Sequence, residues 1–332
     1  MSSKAHDTII AAANTRADKL AGEVAQLKAE LKGRDEHLKH MTRQIEQSER
    51  IAATKVPKLI AAKRPKAAKH LTRVIIPDSH GNHIDPVARD SFLADLKILR
   101  PEEIVMLGDH LDCGGTFNAH QVTYTNELVE SYEDDVVQAN AFLDAIRAYA
   151  PDARIHYIEG NHEAHVERWC ARNVKRREDA DSLVAHWGPA ARLHLKARGI
   201  TYYHSKEFHM GLTVRGSIKL GKCFFTHGVS HSKHADDAHL SAFNSNVVFG
   251  HVHRVLEVRS RTVTSSGHGA WSPGTLAKLQ PLYRHTEPTT WCHGYGIQFT
   301  NAESGKFAMW NVPIFADRST GLAEAVGAFS RG

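Results

Sequence analysis

The stretch YIEGNHEAH, residues 157–165, leaves an apolar run through a glycine and at once presents polar and charged side chains. The apolar pair before it predicts the end of a buried strand, and Gly160 allows the backbone to turn sharply. An ordinary helix start would account for this pattern, and so would a strand end that holds a ligand. The residues that carry the question are Asn161, His162 and Glu163.

Short apolar segments of the same kind occur twice before this stretch. They are RVIIPD (73–78) and EEIVMLGD (102–109), and RIHYIEG (154–160) is the third of the series. Helical patterns lie between them, at residues 86–98 and 120–149. This alternation of strands and helices predicts a layered α/β core.

The later part of the chain is rich in strand patterns. GLTVRGSIKL (211–220) and GKCFFTHG (221–228) predict a hairpin, and NVVFGHVH (246–253) predicts a further strand. GYGIQFTNAESGKFAMWNV (294–312) predicts a final hairpin. The fold class that follows is α/β.

Five predicted strands end in side chains that bind metals well. In α/β sheets such groups collect at the carboxyl ends of strands, so we expect the five clusters to converge. Any one cluster alone is typical of an ordinary turn, but the ordered set indicates a site, and the chain has 24 histidines to supply it. The clusters are Asp78-Ser79-His80, Gly108-Asp109-His110-Leu111-Asp112, Gly160-Asn161-His162-Glu163, Thr226-His227-Gly228 and Gly250-His251-Val252-His253.

The bulk composition excludes several classes of protein. The 332 residues contain no apolar run of about 18 residues, so we expect no membrane span. The first residues lack the pattern of a secretory signal. Four scattered cysteines without CxxC spacing argue against a disulfide framework or a cysteine zinc site, and they favour a cytoplasmic setting. A phage-encoded protein acting in the host cytoplasm would fit.

The N-terminal segment differs from the rest in pattern and in charge. Residues 10–45 repeat apolar positions with 3-4 spacing over about five heptads, which predicts a coiled coil and a homo-oligomer, or else one amphipathic helix. Residues 51–73 contain seven Lys or Arg and no acid. Residues 1–73 carry a net charge of +8, and the remainder carries −3. This basic segment favours a polyanionic partner, although a solvated tether would have the same composition.

The ordered motifs resemble those of the calcineurin-like metallophosphoesterases. Asp-x-His, Gly-Asp-x-x-Asp, Gly-Asn-His-Glu, His-Gly and Gly-His-x-His occur in that order, within roughly residues 73–315. The resemblance implies a four-layer α/β/β/α sandwich with two metals at its edge. We therefore divide the chain into a helical coiled coil (1–50), a basic linker (51–72), the metallophosphoesterase domain (73–318) and a tail (319–332).

The resemblance also implies the ligands. Asp78, His80 and His253 would hold one ion, and Asp109 would bridge to the other. The second ion would be held by Asn161, His227 and His251. This mixed nitrogen and oxygen set suits two divalent transition-metal ions, with manganese the first candidate and iron, zinc, nickel or cobalt the alternatives.

The implied activity is hydrolysis of a phosphate ester by water. The resemblance assigns His162 as the acid for the leaving oxygen, and Asp112 would orient it by a hydrogen bond. Three residues are candidates for substrate contacts, and each is equally well explained as a surface residue: Asn82, His83 and Arg254.

Two departures bear on the substrate. Protein phosphatases of the superfamily usually place an Arg where this chain has Glu159 and another where it has Cys113. The expected activity is therefore a phosphodiesterase or nuclease acting on nucleic acid or a nucleotide, without a membrane partner. The alternatives are a phosphomonoesterase or protein phosphatase, and a coiled-coil assembly protein with a residual metal site.

Overall fold

The computed structural model describes residues 16, 19–28, 31–32, 39, 69–114, 117, 131–262, 265–281, 288–316, 320 and 322. By its internal contacts the chain divides into two units, Met1–Lys55 and Val56–Gly332. The boundary falls within the basic linker expected from the sequence. No helix in the described part of the chain is both long and apolar enough to cross a lipid bilayer.

The first unit is helical over residues 19–28. Four positions of the predicted apolar seam are described here, and all four are exposed, with 48–65 % of each side chain open to solvent: Leu20, Val24, Leu27 and Leu31. The other seam positions within residues 10–45 lie outside the described residues. The coiled coil therefore stays a prediction. A single helix of a coiled coil would have such an exposed apolar seam when its partner helix is absent.

Deletion of residues 1–72 tests that prediction. Because the seam has to be covered by a second copy, we expect the full chain to be an oligomer and the truncated chain a monomer. Light scattering coupled to gel filtration gives both masses. An oligomer of unchanged order after the deletion would show that the subunits associate elsewhere.

The first of two sheets in the second unit contains six strands. They are β1 (His70–Ile76), β2 (Glu103–Met106), β3 (Arg154–Ile158), β4 (Ile200–Tyr203), β10 (Gly294–Asn301) and β11 (Phe307–Pro313). Their order is β11-β10-β1-β2-β3-β4. Strands β1 to β4 are parallel, whereas β10 and β11 are antiparallel to their neighbours. The carboxyl ends of the four parallel strands consequently meet at one edge.

The second sheet contains five strands. They are β5 (Ser217–Leu220), β6 (Cys223–Thr226), β7 (Val247–Phe249), β8 (Val255–Thr262) and β9 (Ser265–Pro273). Their order is β5-β6-β7-β9-β8, with β6, β7 and β9 parallel. Strands β5 and β8 pair antiparallel to their neighbours β6 and β9. The two hairpins predicted from the sequence, β5–β6 and β10–β11, are both present.

The two sheets pack face to face around a fully buried apolar core. Ile75, Val105 and Ile158 contribute from the first sheet, and Phe225 and Val248 contribute from the second. Each is 0 % exposed. Burial of such a side chain is worth roughly 1.5–3 kcal/mol, so this interface fixes the relative position of the strand ends that carry the motifs.

Helices cover the outer faces of both sheets. They are α1 (Pro86–Leu99), α2 (Tyr132–Tyr149), α3 (Glu163–Asn173), α4 (Arg177–Trp187), α5 (Pro189–Arg192) and α6 (Ala235–Phe243). Phe92 of α1 packs edge-on against Phe142 of α2 and Tyr295 of the first sheet. On the second sheet, Ala235 of α6 packs with Phe249 of β7. The protein is thus a mixed α/β structure with two sheets flanked by helices, as the sequence predicted.

Local sequence explains where α1 and α2 begin. The Asp85 carboxylate accepts hydrogen bonds from the backbone N–H of Val87 and Ala88, and Pro86 occupies the first position of α1. Ser131 caps α2 by accepting from the N–H of Asp134 at 3.1 Å. The helix predicted over 120–149 begins at Tyr132, and residues 118–130 lie outside the described residues.

Candidate metal centre

The fold brings together the loops that follow β1, β2, β3, β6 and β7. Six of the seven predicted metal ligands form two groups, and in each group the ligand atoms lie within 4.8 Å of one another. One group is Asp78, His80 and His253, and the other is Asp109, His227 and His251. The division matches the two ligand sets that the motifs implied.

The first group converges on the Nε2 atom of His253. This atom lies 3.1 Å from Asp78 Oδ2 and 3.1 Å from His80 Nε2. The other ring nitrogen of His80, Nδ1, is 3.1 Å from Asp112 Oδ1. A proton on Nδ1 leaves the lone pair of Nε2 turned toward the group, which is how carboxylates orient metal-binding histidines.

The second group converges on the Nε2 atom of His227. It lies 3.1 Å from Asp109 Oδ2, 2.9 Å from Asn161 Oδ1 and 3.2 Å from His251 Nδ1. Its Nδ1–H donates to the carbonyl of Leu107 at 3.0 Å, so Nε2 is the ring nitrogen turned toward the group. One nitrogen cannot satisfy three partners, but atoms about 3 Å apart can share an ion with bonds of about 2.0–2.2 Å.

The backbone of these loops is strained at the predicted ligands. Nine non-glycine residues in the described part of the chain have positive φ, and four of them are predicted ligands. The four are His80 (49°), Asp109 (51°), His251 (70°) and His253 (55°). L-residues adopt this left-handed region at a cost, which persists at functional sites where surrounding contacts fix the chain.

Glu163 braces the loop after β2. Its carboxylate, 0 % exposed, accepts from the backbone N–H of Asp109 (2.9 Å), His110 (2.7 Å), Leu111 (3.2 Å) and Gly160 (3.0 Å). The hydroxyl of Tyr157 donates to it at 2.7 Å. Burial and Asp109 raise the pKa of Glu163 to about 7, but five donors around two oxygens favour its ionised form. The Glu163 carboxylate thus organises the loop through these five hydrogen bonds.

Gly160 permits the close approach of the loops after β2 and β3. A Cβ at this position would lie 2.1 Å from Asp109 Oδ1 and 2.4 Å from the Asp109 nitrogen. Gly108 is equally restricted, since a Cβ there would lie 2.6 Å from the backbone nitrogen of Gly160. The carboxylate of Asp109 therefore reaches the centre only because both loops carry glycine.

We expect Gly160→Ala to displace the Asp109 carboxylate. The added methyl overlaps a backbone atom, so the loop has to move, and metal affinity should fall roughly 10- to 100-fold. Isothermal titration with Mn²⁺ measures the change. Gly199→Ala is a control for the added methyl, because a Cβ there meets nothing within 4 Å, although Gly199, unlike Gly160, has a positive φ of 64°. Equal affinities in the two variants would contradict this role of Gly160.

The charges of the centre favour cations. Burial alone would raise the pKa of Asp78 and of Asp109, but neighbouring histidines hold both below the ordinary value. Within the described part of the chain, histidines are the ion-pair partners of these two carboxylates, with no Lys or Arg. Burial lowers the pKa of His227, but Asp109 and Asp78 outweigh it and raise the pKa to about 9. Buried carboxylates of this kind need a positive charge nearby.

Two histidines of the centre, His80 and His251, have lowered pKa values. Burial lowers the pKa of His80, and burial together with His227 lowers the pKa of His251 to about 4. Neutral imidazoles and ionised carboxylates are the protonation states that bind metal ions. The residues present therefore fit two divalent ions, and the nitrogen and oxygen donors are compatible with transition metals.

His162 lies beside the two groups and is held by Asp112. Its Nδ1 donates to the backbone carbonyl of Asp112 at 2.8 Å and lies 3.3 Å from Asp112 Oδ1. Its Nε2 lies 3.9 Å from Asp109 Oδ2, on the side of the second group. Burial lowers the pKa of His162, but Asp109 and Asp112 outweigh it and raise the pKa to about 10. The ring can thus present a proton from Nε2 toward the centre.

The three candidates for substrate contacts occupy different positions. The backbone N–H of Asn82 donates to Asp135 at 3.1 Å. His83 is buried, with Nε2 3.8 Å from Asp112 Oδ2, so it lies close to the centre. The guanidinium of Arg254 donates to the backbone carbonyls of Ser232 and Lys233. A role in substrate binding remains a prediction for each.

Sequence reasoning missed two residues beside the centre. Asp135 comes from α2, and its carboxylate accepts from the N–H of Asn82 and of Cys113, which ties the loops after β1 and β2 together. The ring of Trp291 packs edge-on against His253, with 4.2 Å between centroids. No motif marks either residue, although Asp135 lies in the acidic first turn of a helix.

A further group of possible ligands, which contains none of the predicted ones, has a different explanation. Glu159, Glu167 and His204 approach one another, but they form a network of ion pairs. Lys206 pairs with Glu167, and Ser205 donates to Glu159 through its N–H and its hydroxyl. These contacts neutralise the carboxylates within the chain.

All five motifs thus meet at one edge of two sheets that are flanked by helices. The motifs that resemble those of the calcineurin-like metallophosphoesterases therefore lie close together in the structure, and membership of that family stays a prediction. No protein-family model and no curated protein sequence matches the chain.

Several solved structures are similar to the chain. Vacuolar Protein Sorting 29 from Cryptosporidium parvum aligns over 76 % of this chain and 96 % of its own, at 9 % identity and a TM-score of 0.38. YfcE, a phosphoesterase from E. coli, aligns over 73 % and 99 %, at 16 % identity and a TM-score of 0.31. Vps29 from Chaetomium thermophilum aligns over 76 % and 94 %, at 11 % identity and a TM-score of 0.33. Any activity has to be inferred from the centre itself.

Proposed function

We propose that the protein is a dinuclear metal-dependent phosphoesterase, and specifically a phosphodiesterase acting on nucleic acid or a nucleotide. The observation that carries the proposal is the pair of buried ligand groups with His162 and Asp112 beside them. Asp78, His80 and His253 would hold one ion, and Asn161, His227 and His251 the other, with Asp109 between them. Manganese is the first candidate.

The side chains divide the work of hydrolysis. When bound, two divalent ions supply charge stabilisation of the phosphate and a water of lowered pKa. His162 would donate its Nε2 proton to the leaving oxygen, since an alkoxide leaves slowly without one. Asp112 holds the ring through Nδ1 and favours the charged imidazole. Glu163 and Asp135 keep the loops in position through backbone N–H groups.

Two positions favour a diester over a monoester. Glu159 and Cys113 stand where the related protein phosphatases usually carry Arg. The Glu159 carboxylate is buried and engaged by the Tyr202 hydroxyl at 2.8 Å, and burial keeps the Cys113 thiol neutral by raising its pKa. Neither residue offers a cation to the extra charge of a phosphomonoester. The basic segment at residues 51–73 also suits a polyanionic substrate.

A substrate panel tests the proposal. The full chain with Mn²⁺ is offered para-nitrophenyl phosphate, bis(para-nitrophenyl) phosphate, and single- and double-stranded DNA. We expect turnover of the diesters at a rate above that of the monoester. Activity on the monoester alone would favour a phosphomonoesterase or protein phosphatase. No activity with any metal, together with an intact oligomer, would favour an assembly protein.

Replacement of His162 by Ala gives a sharper prediction about mechanism. Para-nitrophenolate leaves without a proton, whereas a nucleotide alcohol needs one. We therefore expect roughly 100-fold or greater loss of kcat on an oligonucleotide and a clearly smaller loss on bis(para-nitrophenyl) phosphate. His165→Ala, on the adjoining turn of α3, is the control. Equal losses on both substrates would show that His162 does not protonate the leaving group.

A further inference from the structure

A cleft of about 820 Å³ lies between the β8–β9 hairpin of the second sheet and the β10–β11 hairpin of the first. Strands β8 and β11 are the edge strands of their sheets. Strand β8 starts at Val255, two residues after the predicted ligand His253, and the cleft includes Arg261 near its other end. None of the predicted metal ligands lines the cleft, so the cleft is distinct from the metal centre.

The described residues that line the cleft include basic side chains and no Asp or Glu. All four Lys or Arg side chains are exposed: Lys222, Arg259, Arg261 and Lys306. An acidic neighbour, Glu257, pairs with Arg259 at 2.7 Å, although the Arg259 side chain stays 67 % exposed. The cleft thus presents several cations to a ligand that carries repeated negative charge.

Aromatic rings accompany the cations. The Trp271 side chain is buried, and the Arg259 guanidinium lies 5.7 Å from its ring centroid. In the described part of the chain, the buried Nε1–H of Trp271 has no hydrogen-bond acceptor, and it requires one. Trp310 is 52 % exposed and is steadied by an edge-on contact with Phe299. An exposed, fixed ring beside cations offers a face on which a base can stack.

We propose that this cleft binds single-stranded nucleic acid. Arg259, Arg261 and Lys306 would bind phosphates, and Trp310 would stack on an unpaired base. A double helix keeps its bases stacked inside, so it could use only the cations. The proposal goes beyond the proposed hydrolysis, because it concerns binding at a surface away from the metal centre.

The basic linker that precedes β1 is an unsuitable occupant of the cleft. Residues 51–68 lie outside the described residues, and the chain enters β1 at His70, opposite Asn301 on β10. The carbonyl of Lys69 accepts from the N–H of Ala302 in the same turn region as Lys306. The basic linker therefore joins the domain at the end that carries the cleft. Its own charge argues against it as the ligand and adds to the attraction for a polyanion.

The test is fluorescence anisotropy with a labelled 20-nucleotide single strand, as DNA and as RNA, on the full chain in EDTA. We expect Arg259→Ser/Arg261→Ser to weaken binding roughly tenfold and to lower the slope of log K against log salt by about 1.4, or about 0.7 per phosphate contact. Trp310→Ala should weaken binding roughly fivefold or more without changing the slope. Glu257→Gln should strengthen binding, because it releases Arg259.

Lys97→Ser/Lys196→Ser is the matched control, since it removes two exposed cations from positions outside the cleft. Equal affinity in the cleft and control double variants would overturn the proposal. Loss with the charge variant but none with Trp310→Ala, together with equal binding of duplex, would also overturn it in favour of a general polyanion surface. If the protein hydrolyses diesters but the cleft substitutions leave its affinity for the single strand unchanged, only the proposal about the cleft is refuted. Cleft-dependent binding without hydrolysis would refute the proposed function alone.

Discussion

Replacement of Asp109 by Asn should lower kcat on bis(para-nitrophenyl) phosphate with Mn²⁺ by about 1,000-fold or more. Asp109 is 1 % exposed, and its Oδ2 lies 3.1 Å from His227 Nε2. Asn keeps the shape of the side chain but removes its charge, and one amide group turns N–H hydrogens toward the centre. A loss of about 4 kcal/mol in transition-state stabilisation corresponds to this factor.

The measurement needs both activity and metal content. The Asp109→Asn variant should bind fewer Mn²⁺ ions per chain than the unchanged protein, while its far-ultraviolet circular dichroism stays the same. Asp90→Asn is the control, because the Asp90 side chain is 58 % exposed and pairs only with Arg89 among the described residues. Activity of Asp109→Asn within tenfold of the unchanged protein would rule out a bridging role for this carboxylate.

Replacement of Glu163 by Gln should destabilise the protein by roughly 3 kcal/mol or more. The Glu163 carboxylate accepts four backbone N–H bonds and one hydroxyl, and an amide in its place turns N–H hydrogens toward N–H donors. Each buried donor left without an acceptor costs about 1–3 kcal/mol. Urea denaturation of the metal-free chain measures the free energy of unfolding. Glu178→Gln, at an exposed position on α4, is the control.

Unfolding of the metal-free chain measures the stability effect of Glu163→Gln separately from its effect on metal binding. Because the braced loop carries Asp109, we also expect weaker Mn²⁺ binding in Glu163→Gln. A loss under 1 kcal/mol would mean that the carboxylate is largely protonated in the folded chain, as the raised pKa of Glu163 by itself would suggest. The hydrogen-bond geometry predicts the opposite.

The sequence predicted the parts of the fold that rest on local pattern. The strands that carry the motifs are short and apolar, and each ends in a glycine or a polar ligand, so their place and order were readable. The short strand β4 and the hairpin of β8 and β9 were not predicted. Strand β8 has the sequence VLEVRSRT, which lacks an apolar strand pattern. Its charged residues are accommodated because the strand pairs with β9 and lies beside an open cleft.

The ligand groups were predicted from spacing, but their geometry was not. The residue types at Asp109 and His253 do not by themselves predict a left-handed backbone, because loops from both sheets impose that conformation. Asp135 belongs to α2 and reaches the centre through packing of that helix, so no motif could include it. For the part of the heptad segment that lies outside the described residues, the coiled coil remains a prediction.

Anomalous diffraction from crystals grown with Mn²⁺ tests the central claim most directly. Two peaks about 3.5–4 Å apart are expected. One should lie among Asp78, His80 and His253, and the other among Asn161, His227 and His251, with Asp109 contacting both. No peak at this centre, or a single peak at Glu159, Glu167 and His204 instead, would contradict it.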